Sequence, residues 1–172
     1  MRLKDKKIAI FLANLYEDLE FWYPYLRMQE EGAEVTIIGP KRESYNGKHG
    51  LPARADRAID EVKSNDFNAL IIPGGYSPDH MRRHEKMVTF VSEMDKQGKP
   101  VAAICHGPWM MASADILKDR QVTSFFSIKD DLVNAGAEWK DLKVVTSGNL
   151  ITSRNPHDLP AFCTAIIEVL TS

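Results

Sequence analysis

The sequence holds only two cysteines, Cys105 and Cys163, too few for a disulfide framework, and that scarcity points to a reducing compartment. Long apolar runs are missing as well. The run Ile8 to Ala13 falls far short of the ~20 residues of a membrane helix and is followed by no small-residue cleavage site of the signal-peptide kind. Charge of one sign is also scarce: 22 Lys and Arg stand against 24 Asp and Glu, a net charge of −2. With no long basic run, the electrostatic footprint of a nucleic-acid binder is absent. These absences predict a soluble, cytoplasmic protein with neither a membrane nor a specific nucleic-acid partner.

What is present is an ordinary globular balance, 44% hydrophobic and 27% charged over 172 residues, enough for one domain spanning residues 1–172. Ile8 to Leu12 is a continuous apolar run of strand length, as in a strand covered on both faces. A helical pattern follows from about Glu17 to Glu31, marked by Leu19, Trp22, Tyr23 and Leu26 and stopped by Gly32. Val35 to Ile38 is a second strand, so the spacing is that of a βαβ unit. Residues 41–60 carry the turn formers Asn46-Gly47, Gly50 and Pro52 and predict a small hairpin. Further strands are expected at Ala69–Ile72 and Val101–Ile104, and a short one near Val122. Helices are expected over Glu85–Gln97, after Cys105, over Ile128–Asn134 and over Asp158–Leu170, with a hairpin of Val144-Val145 and Leu150-Ile151. The pattern predicts an α/β three-layer sandwich, a mostly parallel sheet with helices on both faces.

The chemically informative segment is Ala103-Ile104-Cys105-His106-Gly107. A nucleophile on a tight strand-to-helix turn requires small residues two before and two after it, because the turn crowds both positions. Ala103 and Gly107 meet that demand. Cys105 then stands at the carboxyl end of a parallel strand, where open sheets keep their ligand crevices. It faces the amino end of the following helix, which favours thiolate over thiol. Pro73-Gly74-Gly75 ends another strand with a glycine pair that lets backbone approach a ligand. The N–H groups of Gly75 and His106 are therefore candidates for an oxyanion hole. Cys163, set among Phe162, Ala165 and Ile166, reads as an inert core cysteine.

These residues resemble the PfpI family (intracellular protease I) of the class I glutamine amidotransferase-like superfamily, with its flavodoxin-like sandwich. The resemblance runs through Asn14–Glu20, Gly47-Lys48-His49-Gly50, Ile72–Gly75, Gly98–Val101, Ile104–Pro108, Ile128–Asp131, Asn134–Trp139 and Thr152–Arg154. It implies that Cys105 is the nucleophile and His106 the adjacent histidine. It also implies that Glu17 is the glutamate touching the sulfur, with a raised pKa if it donates a proton there. Asp79 falls where the family's oligomeric proteases carry a glutamate reaching in from a neighbouring subunit, one methylene longer than here. Adjacent residues seldom face one another, so His106 is expected to need Asp79 of a second chain, and a homo-oligomer (a dimer or ring of dimers) is implied.

His157 is a rival base, in Asn155-Pro156-His157-Asp158, where true amidotransferases place a histidine followed by an acid; the alternative is a helix start with Asp158 as a favourable acid. His80 and His84 lie four apart but flank Arg82 and Arg83, which speaks against a metal. Arg82, Arg83 and Arg154 are candidates for steering anions, and Trp22, Tyr23 and Tyr25 for lining a pocket or packing. The reading that follows is cysteine catalysis without cofactor or metal, on a small carbonyl substrate or a peptide. Stress-related deglycase or glyoxalase chemistry on methylglyoxal or its protein adducts is favoured. A cysteine peptidase, a glutaminase and a redox sensor acting through Cys105 oxidation remain the alternatives.

Overall fold

The structure is a computed structural model describing residues 1–172. Its strands are β1 (Lys7–Phe11), β2 (Glu34–Gly39), β3 (Ser44–Asn46), β4 (Pro52–Arg54), β5 (Arg57–Ala58) and β6 (Ala69–Ile72). After them come β7 (Val101–Ile104), β8 (Gln121–Val122), β9 (Glu138–Trp139), β10 (Val144–Ser147) and β11 (Leu150–Ser153). The helices are α1 (Asp18–Glu30), α2 (Ser77–Met81), α3 (Glu85–Lys96), α4 (Pro108–Ser113), α5 (Lys129–Asn134) and α6 (Leu159–Thr171).

Seven strands make one sheet in the order β10-β11-β7-β6-β1-β2-β5. Every neighbouring pair is parallel except the β10–β11 hairpin. The apolar runs are continuous because successive side chains enter opposite cores. Ile8 and Ile10 pack with Phe21, Met28, Phe162 and Ile166 beneath α1 and α6, whereas Ala9 and Phe11 pack with Phe90, Met94, Met110 and Leu132 beneath α3, α4 and α5. Full burial of each such Ile or Phe is worth about 1.5–3 kcal/mol. The predicted three-layer α/β sandwich is the observed one.

One feature of α1 departs from expectation. Leu19, Tyr23 and Leu26 face solvent, with Leu19 58% and Leu26 56% exposed, and the buried side carries Glu20, Phe21, Pro24 and Met28. Two stripes of suitable residues run along this helix at the same spacing. Periodicity reports that a helix forms, but it does not choose which stripe turns inward when both qualify.

The strand order reverses at β1, which has β2 on one side and β6 on the other. Open sheets bind ligands outside the carboxyl ends of their strands at such a switch point. Here the chain leaving β1, the Pro73–Tyr76 turn after β6 and Cys105 after β7 converge. Cross-links fix the convergence: Tyr76 N–H donates to Leu15 O at 2.8 Å, Cys105 N–H to Ser153 O at 3.0 Å, and Phe125 N–H to Cys105 O at 3.0 Å. No helix is long and apolar enough to cross a membrane.

Candidate active site

Cys105 adopts φ +62°, a left-handed conformation that is costly for a residue with a Cβ and that marks functional turns. The crowding inferred from the sequence is real. A Cβ on Gly107 would stand 2.6 Å from Ile72 O and 2.8 Å from Ile104 O, so only glycine fits two residues beyond Cys105. The turn also does what adjacency alone would not: it swings His106 back so that Nδ1 lies 3.2 Å from Cys105 Sγ. His106 therefore reaches the sulfur of its own chain, contrary to expectation, because the positive φ at Cys105 folds the two side chains together.

The carboxyl beside the sulfur is that of Glu20, not Glu17. Glu20 is wholly buried, and its Oε2 accepts the Gly74 N–H at 2.9 Å. Its Oε1 has no hydrogen-bond partner, and the nearby Cys105 sulfur couples to its titration. Burial pushes the Glu20 carboxyl up to about 8, against the pull of the Gly74 N–H, so at neutral pH it is mainly a protonated donor. Glu17 lies one helical turn earlier. It pairs with Lys48 Nζ at 2.6 Å and stands 3.5 Å from His49 Nε2, at the rim of the same cavity. The i, i+3 spacing puts both glutamates on one side of α1, and only the deeper one meets Cys105.

Burial is the largest influence on Cys105, and it raises the thiol; an ionised Glu20 raises it further. The backbone N–H groups of Gly75 and His106, next to the sulfur, act in the opposite direction and lower it. In the resting site these two amides, named from sequence as an oxyanion hole, thus serve the sulfur itself. The thiolate expected at a helix start is opposed by desolvation and depends on Glu20 keeping its proton. His106 is lowered, first by burial and then by the Lys48 charge, so its ring is neutral and able to accept the thiol proton.

Lys48 is delivered by the β3–β4 loop. Asp18, buried at the start of α1, accepts the N–H groups of His49 at 2.9 Å and Leu51 at 3.0 Å, and Lys48 N–H donates to Tyr16 O at 2.9 Å. Side-chain donors of Glu17, Asp18 and His49 lie within 4.8 Å of one another, but the Lys48 ammonium on Glu17 and the two amides on Asp18 already occupy the carboxylates. On the opposite wall Phe125 stacks on His106 with ring centroids 5.2 Å apart, and Trp109 meets it edge-on at 5.0 Å. The cavity so enclosed measures about 340 Å³ and is lined by Glu17, Lys48, Cys105, His106, Trp109 and Phe125 among others, a size suited to a small ligand.

Other residues singled out from sequence lie elsewhere. Asp79, on α2, does not line the cavity; it pairs with Arg83 just beyond that helix and is partly exposed. His157 is exposed and its N–H is capped by Asn155 at 3.1 Å, while Asp158 is buried and bound by Arg154 at 2.8 Å. Arg154 is thereby held away from the cavity, and Arg82 sits over the back of Trp109 and bonds Ser113. Trp22 and Tyr25 join Phe21 in an aromatic cluster, not in the cavity. Cys163 is buried in the α6 core. Sequence reading missed Glu20, Lys48, Trp109, Phe125 and Ser127. Only Glu20 carried a signal, a carboxylate in line with Phe21 and Met28 on what proves to be the buried stripe.

Comparison with known proteins follows the same lines. The model of the DJ-1/PfpI family matches residues 6–169. The chain is 45% identical over 164 residues to Deglycase PfpI of Pyrococcus furiosus, covering 95% of this chain and 99% of that one. It is 42% identical over 169 residues to Protein/nucleic acid deglycase 2 of Escherichia coli, covering 96% and 98%. Among solved structures it resembles a two-domain protein of Anabaena variabilis with DJ-1/ThiJ/PfpI-like and ferritin-like domains, at 45% identity and a TM-score of 0.95. The likeness covers 96% of this chain and 48% of that protein.

Proposed function

This chain belongs to the DJ-1/PfpI family, and from that membership together with its site we propose a cysteine-dependent deglycase or glyoxalase acting on reactive dicarbonyls such as methylglyoxal, or on their adducts with amines. The single observation that carries the reading is the Cys105 thiol in a left-handed turn, with His106 Nδ1 3.2 Å away and the buried acid Glu20 on its other side. Relatives named deglycases support it.

The chemistry balances with these groups alone. The thiol proton passes to His106 Nδ1 as sulfur bonds to the aldehyde carbon of the dicarbonyl, and the carbonyl oxygen takes a proton to give a hemithioacetal. A proton then moves from that carbon to the neighbouring one through an enediol, leaving a thioester. Water cleaves the thioester to a 2-hydroxy acid and restores the thiol. With an amine adduct, sulfur displaces the amine, which leaves with the proton His106 holds. Glu20, which keeps its proton up to about 8, puts no second negative charge beside the sulfur as the sulfur becomes anionic. A 340 Å³ cavity suits a three-carbon dicarbonyl better than an extended peptide, which favours this reading over peptidase action.

The same proposal includes a homo-oligomer in a reducing cytoplasm. Two observations support the oligomer: Asp79, partly exposed, does not line the cavity of its own chain, and the exposed Leu19, Tyr23 and Leu26 form an apolar stripe on α1. The test of function is lactate production from methylglyoxal, and release of free amine from its adducts, by wild type and Cys105→Ser. Turnover abolished by the substitution is the expected result. Equal turnover in both proteins, or none in either with the fold intact, overturns the reading.

A further inference from the structure

His106 has its second ring nitrogen engaged within the same chain. Ser127 Oγ lies 3.3 Å from Nε2, while Nδ1 faces Cys105 Sγ at 3.2 Å. We propose that Ser127 is the positioning residue of the Cys105–His106 pair, fixing by its hydroxyl the ring tautomer that leaves a lone pair on Nδ1. The inference rests on the cysteine-catalysis reading above and names a part of that site for which nothing in the sequence pattern gave a role.

A neutral imidazole has one N–H and one lone pair, and which nitrogen carries the proton is set by what the other side of the ring meets. For Nδ1 to accept the thiol proton, the ring must carry its own proton on Nε2, and that N–H needs an acceptor. Ser127 Oγ is the polar side-chain atom placed to receive it. When the thiol proton arrives the ring becomes imidazolium, Nε2 keeps its N–H, and the same Ser127 lone pair continues to accept. A hydroxyl serves both protonation states without adding charge. Serine leaves His106 a weak base that takes the proton as the carbon–sulfur bond forms.

The segment carrying Ser127 is built to hold this register. It sits in the short turn Phe126–Ile128, entered through Phe125, whose N–H donates to the carbonyl of Cys105 itself at 3.0 Å. Phe125 then stacks on the His106 ring with planes 26° apart, and Trp109 closes the edge. Trp109 is in turn anchored through Nε1 to Asp131 at 2.8 Å. The ring is therefore clamped by two aromatics, and the hydroxyl selects its tautomer. The charged groups near His106 are Lys48 from the β3–β4 loop and Glu17 and Glu20 from the start of α1. Arg82 and Asp131 lie against Trp109.

The test has two readouts on the intact protein: the tautomer of His106 from nitrogen-15 shifts, and the pH profile of Cys105 alkylation by iodoacetamide, with Cys105→Ser as background. Wild type is expected to hold the Nε2–H tautomer. Ser127→Ala should give a mixture of tautomers and alkylate about fivefold more slowly near neutral pH, the rate equivalent of one neutral hydrogen bond of about 1 kcal/mol. Ser127→Thr, which keeps the hydroxyl, should restore both. An unchanged tautomer and rate in Ser127→Ala overturns the inference, and so does a lowered melting temperature with the tautomer unmoved. If wild-type Cys105 alkylates no faster than a free thiol, the proposed function fails, while the tautomer still decides the role of Ser127.

Discussion

Glu20 and Cys105 meet across the missing side chain of Gly74: a Cβ there would stand 2.6 Å from Glu20 Oε2 and 2.8 Å from Cys105 Cβ. That close approach in a dry setting forbids both groups from being ionised together, so they titrate as a pair. With Glu20 pushed up to about 8, the sulfur is freest to become an anion while its neighbour keeps a proton. Replacing Glu20 by Gln keeps a neutral donor but removes the acid, and turnover should fall roughly 10²-fold, as for loss of a general acid–base group. Steady-state rates on methylglyoxal, beside a circular-dichroism check of the fold, measure this.

The same raised acid makes stability depend on pH. In the unfolded chain the Glu20 carboxyl ionises near its ordinary value of 4.5, whereas in the fold it holds its proton to about 8. The native state therefore binds the extra proton between those values. Its contribution is complete below 4.5 and is lost as pH rises, at up to ~1.4 kcal/mol per pH unit, through about 8. Denaturant titrations across that window should show a decline in wild type that is flattened in Glu20→Gln. A wild-type stability that rises from pH about 5 to 8 would contradict the burial argument.

Glu17 provides the contrast. Its carboxylate holds Lys48 at the cavity rim, and its charge helps raise Glu20. In Glu17→Gln the Glu20 carboxyl should titrate lower, so the pH-dependent loss of stability should still begin near 4.5 but end at a lower pH and be smaller in total. Turnover should change by less than about tenfold, since a rim ion pair is worth little on its own. If Glu17→Gln instead matched the loss seen in Glu20→Gln, the assignment of the sulfur's partner to Glu20 would be wrong.

How far the sequence discloses this site follows from what each signal measures. The strands β6 and β7 and the elbow at Cys105 were legible because burial on both faces and crowding at a turn dictate composition locally: Ala69–Ile72 and Val101–Ile104 admit only apolar residues, and Gly107 only glycine. The choice between Glu17 and Glu20 was not legible. It depends on how deep along one side of α1 each carboxyl lies once Phe21 and Met28 pack on the sheet, and residue spacing does not give that depth. Lys48, Phe125 and Ser127 were invisible for another reason. They reach the cavity from the β3–β4 loop and from the segment before α5, brought in by tertiary contacts such as Asp18 with the backbone of His49 and Leu51. His106 was misjudged because a rule for extended or helical neighbours does not hold at φ +62°.

Gly75 offers a test of the turn independent of catalysis. It has φ +69°, and a Cβ would lie 2.4 Å from Leu15 O and 2.5 Å from Glu17 N, backbone atoms that cannot move aside without disturbing the start of α1. Gly75→Ala should cost more than about 1 kcal/mol from conformation alone, and more once the clash is relieved by displacing the Leu15–Glu17 segment. Urea denaturation gives the loss, and slower alkylation of Cys105 reports the displaced N–H next to the sulfur. Gly98 is the control: it too has positive φ, +67°, but its Cβ would meet nothing within 4 Å. Gly98→Ala should therefore show the conformational cost without any change at Cys105.

His157 remains as the discriminator between this chemistry and glutamine hydrolysis, since a glutaminase of this sheet architecture would need a base at that position. Here the side chain is exposed, its backbone N–H is capped by Asn155, and it does not line the cavity; its neighbour Asp158 is engaged by Arg154 at 2.8 Å. Removing an exposed side chain with no partner should shift stability by no more than about 0.5 kcal/mol and leave dicarbonyl turnover within twofold of wild type. Ammonia release from glutamine should be undetectable in both proteins. If glutamine were hydrolysed and His157→Ala abolished it, the proton acceptor would be His157 in place of His106, and the geometry that joins His106 to Cys105 at 3.2 Å would be that of a bystander.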